Sequence, residues 1–426
     1  MRTIVRRFAL ALAALGITGF VAGSGQLLAR HVQMQQGEGA VASPGVPAAY
    51  AQAPTSMGRF EADLVFTSLD APGNGEASAR VVWDDAWFTQ DERIYNDQLA
   101  HTASVIAALA YSESGYYQAS NACPPYMERA LGQLGFSDVD TDSYRYRSEV
   151  VDEVLGLVTN QADGVAYTLA RKRLTSSSEG PDSRPRGLIL VSVRGSYGSE
   201  WLSNLDLSSD EAGDYGGYVR AAREISREVE QQVARSCSNG AEASVLLTGH
   251  SRGGAVANLV AAELNNARAA SNMPEARIYA YTFAAPATTL QPQARSSRYA
   301  NIFNVINPSD IMPHLPLETW GYERYGVDVL LPHAGEKHFE ERFAEMQAAY
   351  ERSVGVPSAA DPADAHAVQA ICSGIAESVP SAKDLVSPAG AAAVLGAVAR
   401  HADPVRILYS HYPSTYIAWL EVLAGR

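Results

Sequence analysis

The feature that most constrains this chain is the pattern Gly-x-Ser-x-Gly at residues 249–253, centred on Ser251. The segment before it, residues 245–248, is short and rich in Val and Leu, as is typical of a buried strand. The segment after it, residues 255–262, is apolar and rich in Ala, which predicts a helix covered on most sides. A serine at such a strand-to-helix turn is held with its hydroxyl exposed above the sheet.

A nucleophilic serine needs two partner side chains elsewhere in the chain. A serine hydroxyl is a poor nucleophile at neutral pH, so a neighbouring imidazole must take its proton. A carboxylate must in turn fix the tautomer of that imidazole and stabilise its charged form. In folds with a serine on such a turn, the partners follow in the order Ser, acid, His. The acid is therefore expected after a later strand, and the histidine in a loop near the end.

Asp310 is the candidate acid. It lies in the turn Asn-Pro-Ser-Asp that follows the strand predicted at residues 302–306. The alternative is a turn aspartate whose side chain accepts hydrogen bonds from the local backbone, as Asp often does. The spacing alone leaves both interpretations open.

His411 is the candidate base, because it lies in the sequence Ser-His-Tyr-Pro directly before the last predicted helix. His401 lies among Ala, Arg and Asp and is expected at the surface, and His314 is only four residues beyond Asp310. His250 is next to the serine, and its side chain is expected to point away from the nucleophile. The other histidines precede the serine or lie in charged or loop segments, and are interpreted as bystanders: residues 31, 101, 333, 338 and 366.

The reaction also needs hydrogen-bond donors for the developing oxyanion. One is expected to be the backbone N–H of Arg252, directly after the nucleophile. The strand predicted at residues 187–193 leads into a Gly/Ser-rich turn that contains Ser196. Ser196 offers a backbone N–H and a hydroxyl, so it is the second candidate donor.

The remaining pattern predicts an α/β protein. Strands alternate with long helices, which indicates a mostly parallel sheet covered by helices on both faces. The first two strands are separated by a polar loop and are expected to form an antiparallel hairpin. The predicted strands are at residues 164–174, 187–193, 277–283 and 302–306, with a further strand pair at 320–331. The predicted helices are at residues 95–111, 125–134, 218–233, 335–352 and 415–424, with short helices over 355–405.

Composition and charge limit the other possibilities. The chain has 426 residues and a net charge of −14, which argues against nucleic acid as a partner. His, Cys, Asp and Glu residues do not occur at metal-ligand spacing, so we expect no metal and no other cofactor. Three cysteines, Cys123, Cys237 and Cys372, permit at most one disulfide, and free thiols are equally compatible with the sequence.

The first 58 residues differ in composition from the rest. Arginines at positions 2, 6 and 7 precede the apolar run 8–22, and small residues follow it, which predicts an export signal peptide over residues 1–23. An uncleaved membrane anchor is the alternative. Residues 24–58 are rich in Ala, Gly, Pro and Ser and predict a disordered linker. The sequence therefore predicts a secreted or cell-surface protein whose folded domain spans residues 59–426.

Together the motifs resemble the class 3 lipase family, in a secreted bacterial version. The resemblance is carried by Arg-Gly-Ser with Trp201 downstream, Thr-Gly-His-Ser-Arg-Gly-Gly, Asn-Pro-Ser-Asp with Ile-x-Pro, and His411 with Tyr416. It implies an α/β-hydrolase fold and hydrolysis of carboxylic esters, often of glycerides. It also implies roles for five residues: Ser251 as nucleophile, Asp310 as acid, His411 as base, and Ser196 with Arg252 as oxyanion donors.

The chain departs from that family in three places. Arg252 stands where many members have leucine, although only its backbone is needed there. The interval of 101 residues between Asp310 and His411 is longer than in compact members, and we interpret the excess, about 333–405, as a helical insertion near the mouth of the site. Residues 197–216 are compatible with a mobile amphipathic lid or with a fixed loop.

The sequence therefore predicts a secreted serine hydrolase that cleaves carboxylic esters of lipids through an acyl-enzyme. Its expected partner is a lipid ester, at a lipid–water interface, with no transmembrane domain left after signal cleavage. A short-chain carboxylesterase, a phospholipase or an acyltransferase would use the same residues. A non-catalytic hydrolase-fold protein that binds a ligand is the alternative from another class.

Overall fold

The computed structural model describes residues 58–68, 70–72, 75–118, 125–146, 165–175, 184–195, 216–385, 387–401 and 403–425. The predicted signal peptide, the linker up to residue 57 and the candidate lid up to residue 215 lie outside these ranges. Within them, no helix combines the length and apolar character needed to span a bilayer.

The described strands form one large sheet and one separate hairpin. The strands are β1 (Arg59–Thr67), β2 (Glu76–Asp84), β3 (Ser137–Asp140), β4 (Tyr167–Leu174), β5 (Arg186–Val193), β6 (Glu242–His250), β7 (Ala276–Phe283), β8 (Ile302–Ile306) and β9 (Val327–Leu330). The helices are α1 (Asp97–Gln118), α2 (Tyr126–Gln133), α3 (Ser143–Tyr146), α4 (Gly216–Ser238), α5 (Arg252–Ala269), α6 (Phe339–Val354), α7 (Asp364–Ser378), α8 (Ala382–Leu385), α9 (Pro388–His401), α10 (Pro404–His411) and α11 (Pro413–Ala424).

Strands β3 to β9 lie side by side in chain order. The pairs β3–β4 and β4–β5 are antiparallel, and every pair from β5 to β9 is parallel. The parallel strands end side by side, since His250 pairs with Phe283 and Phe283 pairs with Val305. The loops that follow β6, β7 and β8 therefore emerge together at the carboxyl edge of the sheet.

The strand side chains pack into two separate apolar cores, one on each face of the sheet. Leu188, Leu190 and Leu246 belong to the core formed with α1, α6, α11 and the β1–β2 hairpin. Ile189, Val191, Val245 and Leu247 alternate with them and pack against α4, α5 and α7. The period-two alternation of a strand explains this division, since successive side chains point to opposite faces. The topology and both covered faces confirm the predicted α/β-hydrolase fold.

The β1–β2 hairpin was not among the sequence predictions. Its inner face alternates along both strands, with Leu64, Phe66, Val81 and Trp83 fully buried. A buried ion pair joins the hairpin to the sheet, since Lys172 Nζ on β4 lies 3.4 Å from Asp85 Oδ1 directly after β2. The hairpin thus closes one face of the molecule.

Two local predictions were wrong. The segment 320–331 forms one strand, β9, and not a pair, because the chain before it makes only an isolated bridge between Thr289 and Glu323. His411 ends helix α10 and does not lie in an irregular loop. The charged and Ala-rich segments predicted as helices are α6 to α9, and their interpretation as an insertion stays a prediction. Cys237 and Cys372 are free thiols, and Cys123 lies outside the described residues.

Candidate active site

Ser251 lies on a strained turn between β6 and α5. Its φ of 57° and ψ of −127° are unusual for a residue with a side chain, and such conformations cost of order 1–3 kcal/mol. The turn is held by two backbone bonds, from Ser251 N to Phe283 O (2.8 Å) and from Ala255 N to Ser251 O (3.0 Å). A side chain at Gly253 would collide with the backbone of residues 193 and 194, so glycine is required for this close crossing.

The structure brings Ser251, His411 and Asp310 together. His411 Nε2 lies 3.0 Å from Ser251 Oγ, and His411 Nδ1 lies 2.8 Å from Asp310 Oδ2. An ionised carboxylate only accepts hydrogen bonds, so in the neutral imidazole Nδ1 carries the proton and Nε2 is free to accept the serine proton. This is the geometry that activates a serine hydroxyl, and the catalytic roles themselves stay a prediction.

Asp310 is fully buried and held by donors from two directions. Its Oδ1 accepts a hydrogen bond from Met312 N (2.9 Å), and its Oδ2 accepts one from Tyr416 Oη (2.8 Å). Burial raises the pKa of Tyr416 well above its usual value, and the Asp310 charge adds to this effect, so the phenol remains a donor. One carboxylate oxygen therefore binds local backbone and the other contacts the imidazole. The role of Asp310 as the catalytic acid stays a prediction.

Asn307 links the loop that carries the acid to the segment that carries the base. Its side-chain Nδ2 donates to Ser410 O (3.0 Å), and its backbone N donates to Tyr416 Oη (3.2 Å). Ser410 directly precedes His411, so the loop after β8 is tied to the end of α10 one residue away from the imidazole. Sequence reasoning missed Asn307, although a buried amide after a strand end is a signal of such a bond.

His250 was set aside from the sequence, yet its ring contacts the candidate base. The ring centroids of His250 and His411 are 4.9 Å apart, and His250 Nε2 lies 2.8 Å from His411 O. Of the other histidines, His401 is exposed, as predicted, and His101 is buried, which lowers its pKa to about 4.

The two candidate oxyanion donors differ in what the structure describes. Arg252 is the first residue of α5, and the first N–H groups of a helix have no acceptor within it. The positive end of the helix dipole favours negative charge at this position. Ser196 lies outside the described residues, as does Trp201, so the second donor stays a prediction. The neighbouring Gly195 is described, and a Cβ added there would collide with Tyr111 Oη and His250 O.

Among the residues that the structure describes, no group of three or more His, Cys, Asp or Glu side chains is arranged to hold a metal ion.

Part of this chain is similar to known proteins. Residues 190–320, which include Ser251 and Asp310, match the family Lipase (class 3). The fold is similar to that of Rhizomucor miehei lipase in its propeptide complex, with 20% identity over 55% of this chain and 68% of that one, and a TM-score of 0.37. It is also similar to a lipase from Rhizopus microsporus var. chinensis, with 18% identity over 54% and 72%, and a TM-score of 0.34.

Proposed function

We propose that the protein is a serine hydrolase that cleaves carboxylic esters of lipids. The premise is that residues 190–320 match the family Lipase (class 3). The observation that carries the proposal is that the His411 imidazole lies between Ser251 Oγ, at 3.0 Å, and the Asp310 carboxylate, at 2.8 Å. Hydrolysis of a carboxylic ester is the general activity of this family, and the triad with its acyl-enzyme is our assignment for this chain.

In the proposed first step, His411 Nε2 takes the proton of Ser251 Oγ as the oxygen attacks the ester carbonyl carbon. The imidazolium is stabilised by the buried Asp310. The carbonyl oxygen becomes an oxyanion, which in this proposal accepts a hydrogen bond from the N–H of Arg252 and another from Ser196. The loss of one such donor typically lowers the rate by about 100- to 1,000-fold.

The tetrahedral intermediate collapses when the alcohol leaves with the proton from His411, and Ser251 is left as an acyl ester. A water molecule then attacks the carbonyl carbon of this ester while His411 takes one of its protons. As the bond to Ser251 Oγ breaks, His411 gives that proton to Oγ and the carboxylic acid is released. His411 thus returns to the neutral form in which it started.

Covalent labelling with an organophosphonate tests this mechanism. The label is expected on Ser251, and Ser251→Ala is expected to abolish labelling and to lower ester turnover by about a millionfold, because the triad acts as a unit. Ser238→Ala, at the exposed end of α4, is the matched control and is expected to label fully. Ordinary ester turnover in Ser251→Ala would contradict the mechanism.

The substrate class is tested separately. We propose acylglycerols, so hydrolysis is expected to increase with acyl chain length and on addition of micelles. Preference for short soluble esters would indicate a carboxylesterase. Release of fatty acid from phospholipids would indicate a phospholipase, and ester formation with an added alcohol would indicate an acyltransferase. Folded protein that takes up no phosphonate would support a non-catalytic binding protein.

We also propose that the protein is exported, with residues 1–23 as the signal, residues 24–58 as the linker and the domain at 59–426. The N-terminal sequence of the mature protein tests this, and a start near residue 24 is expected. Retention of residue 2 in a membrane fraction would indicate the uncleaved anchor.

A further inference from the structure

His250, the residue before the nucleophile, makes a directed hydrogen bond to the backbone of the base. Its Nε2 lies 2.8 Å from His411 O. A carbonyl oxygen can only accept, so Nε2 carries the proton of the neutral ring. The other ring nitrogen, Nδ1, is then an acceptor, and Tyr111 Oη lies 2.9 Å from it as the donor. The two bonds together fix one tautomer and one orientation of the ring.

The surroundings keep His250 neutral. The residue is 2% exposed, and its ring packs against those of His411, Tyr416 and Tyr111 at centroid distances of 4.9, 5.7 and 5.8 Å. Burial lowers the pKa of His250 well below its usual value, and the positive charge of a protonated His411 lowers it further. A neutral His250 places no second positive charge beside the imidazolium that forms during catalysis.

The bond from His250 gives the His411 carbonyl a donor that the helix does not provide. His411 is the last residue of α10, and the last carbonyl groups of a helix accept no hydrogen bond from N–H groups within that helix. His411 is therefore held at two points, with its ring bound to Asp310 and its carbonyl bound to β6. Ser251 directly follows His250, so the His250 side chain links the end of the strand that precedes the nucleophile directly to the backbone of the base.

We propose that His250, supported by Tyr111, is a positioning residue that holds His411 within bonding distance of Ser251. This inference rests on the proposed function for its catalytic consequence. Its structural part, the control of the His411 ring by residue 250, does not depend on which substrate is cleaved.

Three substitutions separate the two hydrogen bonds of His250. In His250→Gln the side-chain N–H is near the position of Nε2, so the bond to His411 O is kept. In His250→Asn the amide oxygen is near the position of Nδ1, so the bond from Tyr111 is kept and the one to His411 O is lost. His250→Phe preserves the ring shape and loses both. His401→Phe, at an exposed histidine, is the matched control.

For ester hydrolysis, we expect kcat to fall about 10- to 100-fold in His250→Asn and His250→Phe, because a displacement of about 1 Å at a catalytic group has an effect of this size. KM is expected to change less than about twofold. His250→Gln is expected to stay within about fivefold of the wild-type kcat. A merely structural role predicts instead that loss of activity follows loss of stability in all three variants.

The second readout is the NMR signal of the His411 Nδ1 proton, which the bond to Asp310 shifts downfield. The signal is expected in the wild type, His250→Gln and His401→Phe, and to be displaced or broadened in His250→Asn and His250→Phe. An unchanged signal together with an unchanged kcat in His250→Asn would overturn the inference. If the wild type cleaves no ester but the signal follows residue 250 as stated, the proposed function fails and the positioning role holds.

Discussion

Glu113 on α1 makes the stability of this protein depend on pH in a direction that is opposite to that of most carboxylates. Its side chain is fully buried, and Oε2 accepts a hydrogen bond from Met127 N at the start of α2 (2.9 Å). Burial is the largest influence and raises the pKa of Glu113 from 4.5 to about 7, and the nearby Glu128 adds to this effect. The hydrogen bonds from Met127 and Thr141 oppose it without cancelling it.

The sign follows from proton linkage. Between pH 4.5 and about 7 the folded protein holds the Glu113 proton while the unfolded chain has lost it, so the folded state binds more protons. Stability therefore falls as the pH rises through this window, and it levels off above it. The raised pKa corresponds to about 3 kcal/mol of lost stability at pH 8, by about 1.4 kcal/mol per pH unit.

Glu113→Gln removes the charge and keeps an amide oxygen to accept from Met127 N. We compare the free energy of unfolding of the variant with that of the wild type at each pH. This difference is expected to shift in favour of the variant by up to about 3 kcal/mol between pH 4.5 and pH 8. Urea unfolding at both pH values measures this gain, with the slope of the free energy against urea compared to confirm that the same surface is exposed. Glu128→Gln, at an exposed neighbour, is the control and is expected to change little.

An equal free-energy difference between Glu113→Gln and the wild type at both pH values would refute the reasoning. It would mean that the Glu113 carboxyl ionises in the folded protein at its ordinary pKa, in spite of its burial.

Two further substitutions test the contacts around the site and the hairpin. Tyr416→Phe removes a donor from the Asp310 carboxylate, and since a bond to a charged group contributes about 1.5–3 kcal/mol, kcat is expected to fall about 10- to 100-fold in steady-state ester hydrolysis. A kcat within twofold of the wild type would contradict this. Asp85→Ala removes the buried carboxylate that faces the Lys172 ammonium group and is expected to cost about 3–5 kcal/mol in urea unfolding. The double variant Asp85→Asn with Lys172→Met is expected to recover part of this loss, and a single-variant loss below about 1 kcal/mol would argue against the pair.

The parts of the fold that the sequence predicted are those determined by local pattern. The turn at Ser251 follows from glycines and apolar runs within about twenty residues, and β7 and β8 begin within one residue of their predicted positions. The antiparallel pairing of β4 with β5 was also predicted, and it is confirmed. In each case the spacing of apolar side chains identifies the element, because the element buries one continuous face.

The β1–β2 hairpin shows why a correct local pattern is not always sufficient. Alternating burial at Leu64, Phe66, Val81 and Trp83 is visible in the sequence as alternating apolar residues. A two-stranded hairpin is marginally stable alone, so its existence depends on packing against α1 and on the ion pair of Asp85 with Lys172. Those partners are distant in the chain, so the pattern of residues 59–84 alone does not predict that the hairpin is stable.

The candidate site has the same division between local and distant information. The order Ser, acid, His was enough to select Asp310 and His411, whose interval is 101 residues. It was not enough to assign a role to His250, whose partner is 161 residues away. The sequence does contain a signal there, because a histidine at the end of the apolar run of β6 must find a hydrogen-bond partner once it is buried. Burial thus predicts that a partner exists, while only the approach of α10 to β6 decides that the partner is the carbonyl of the base.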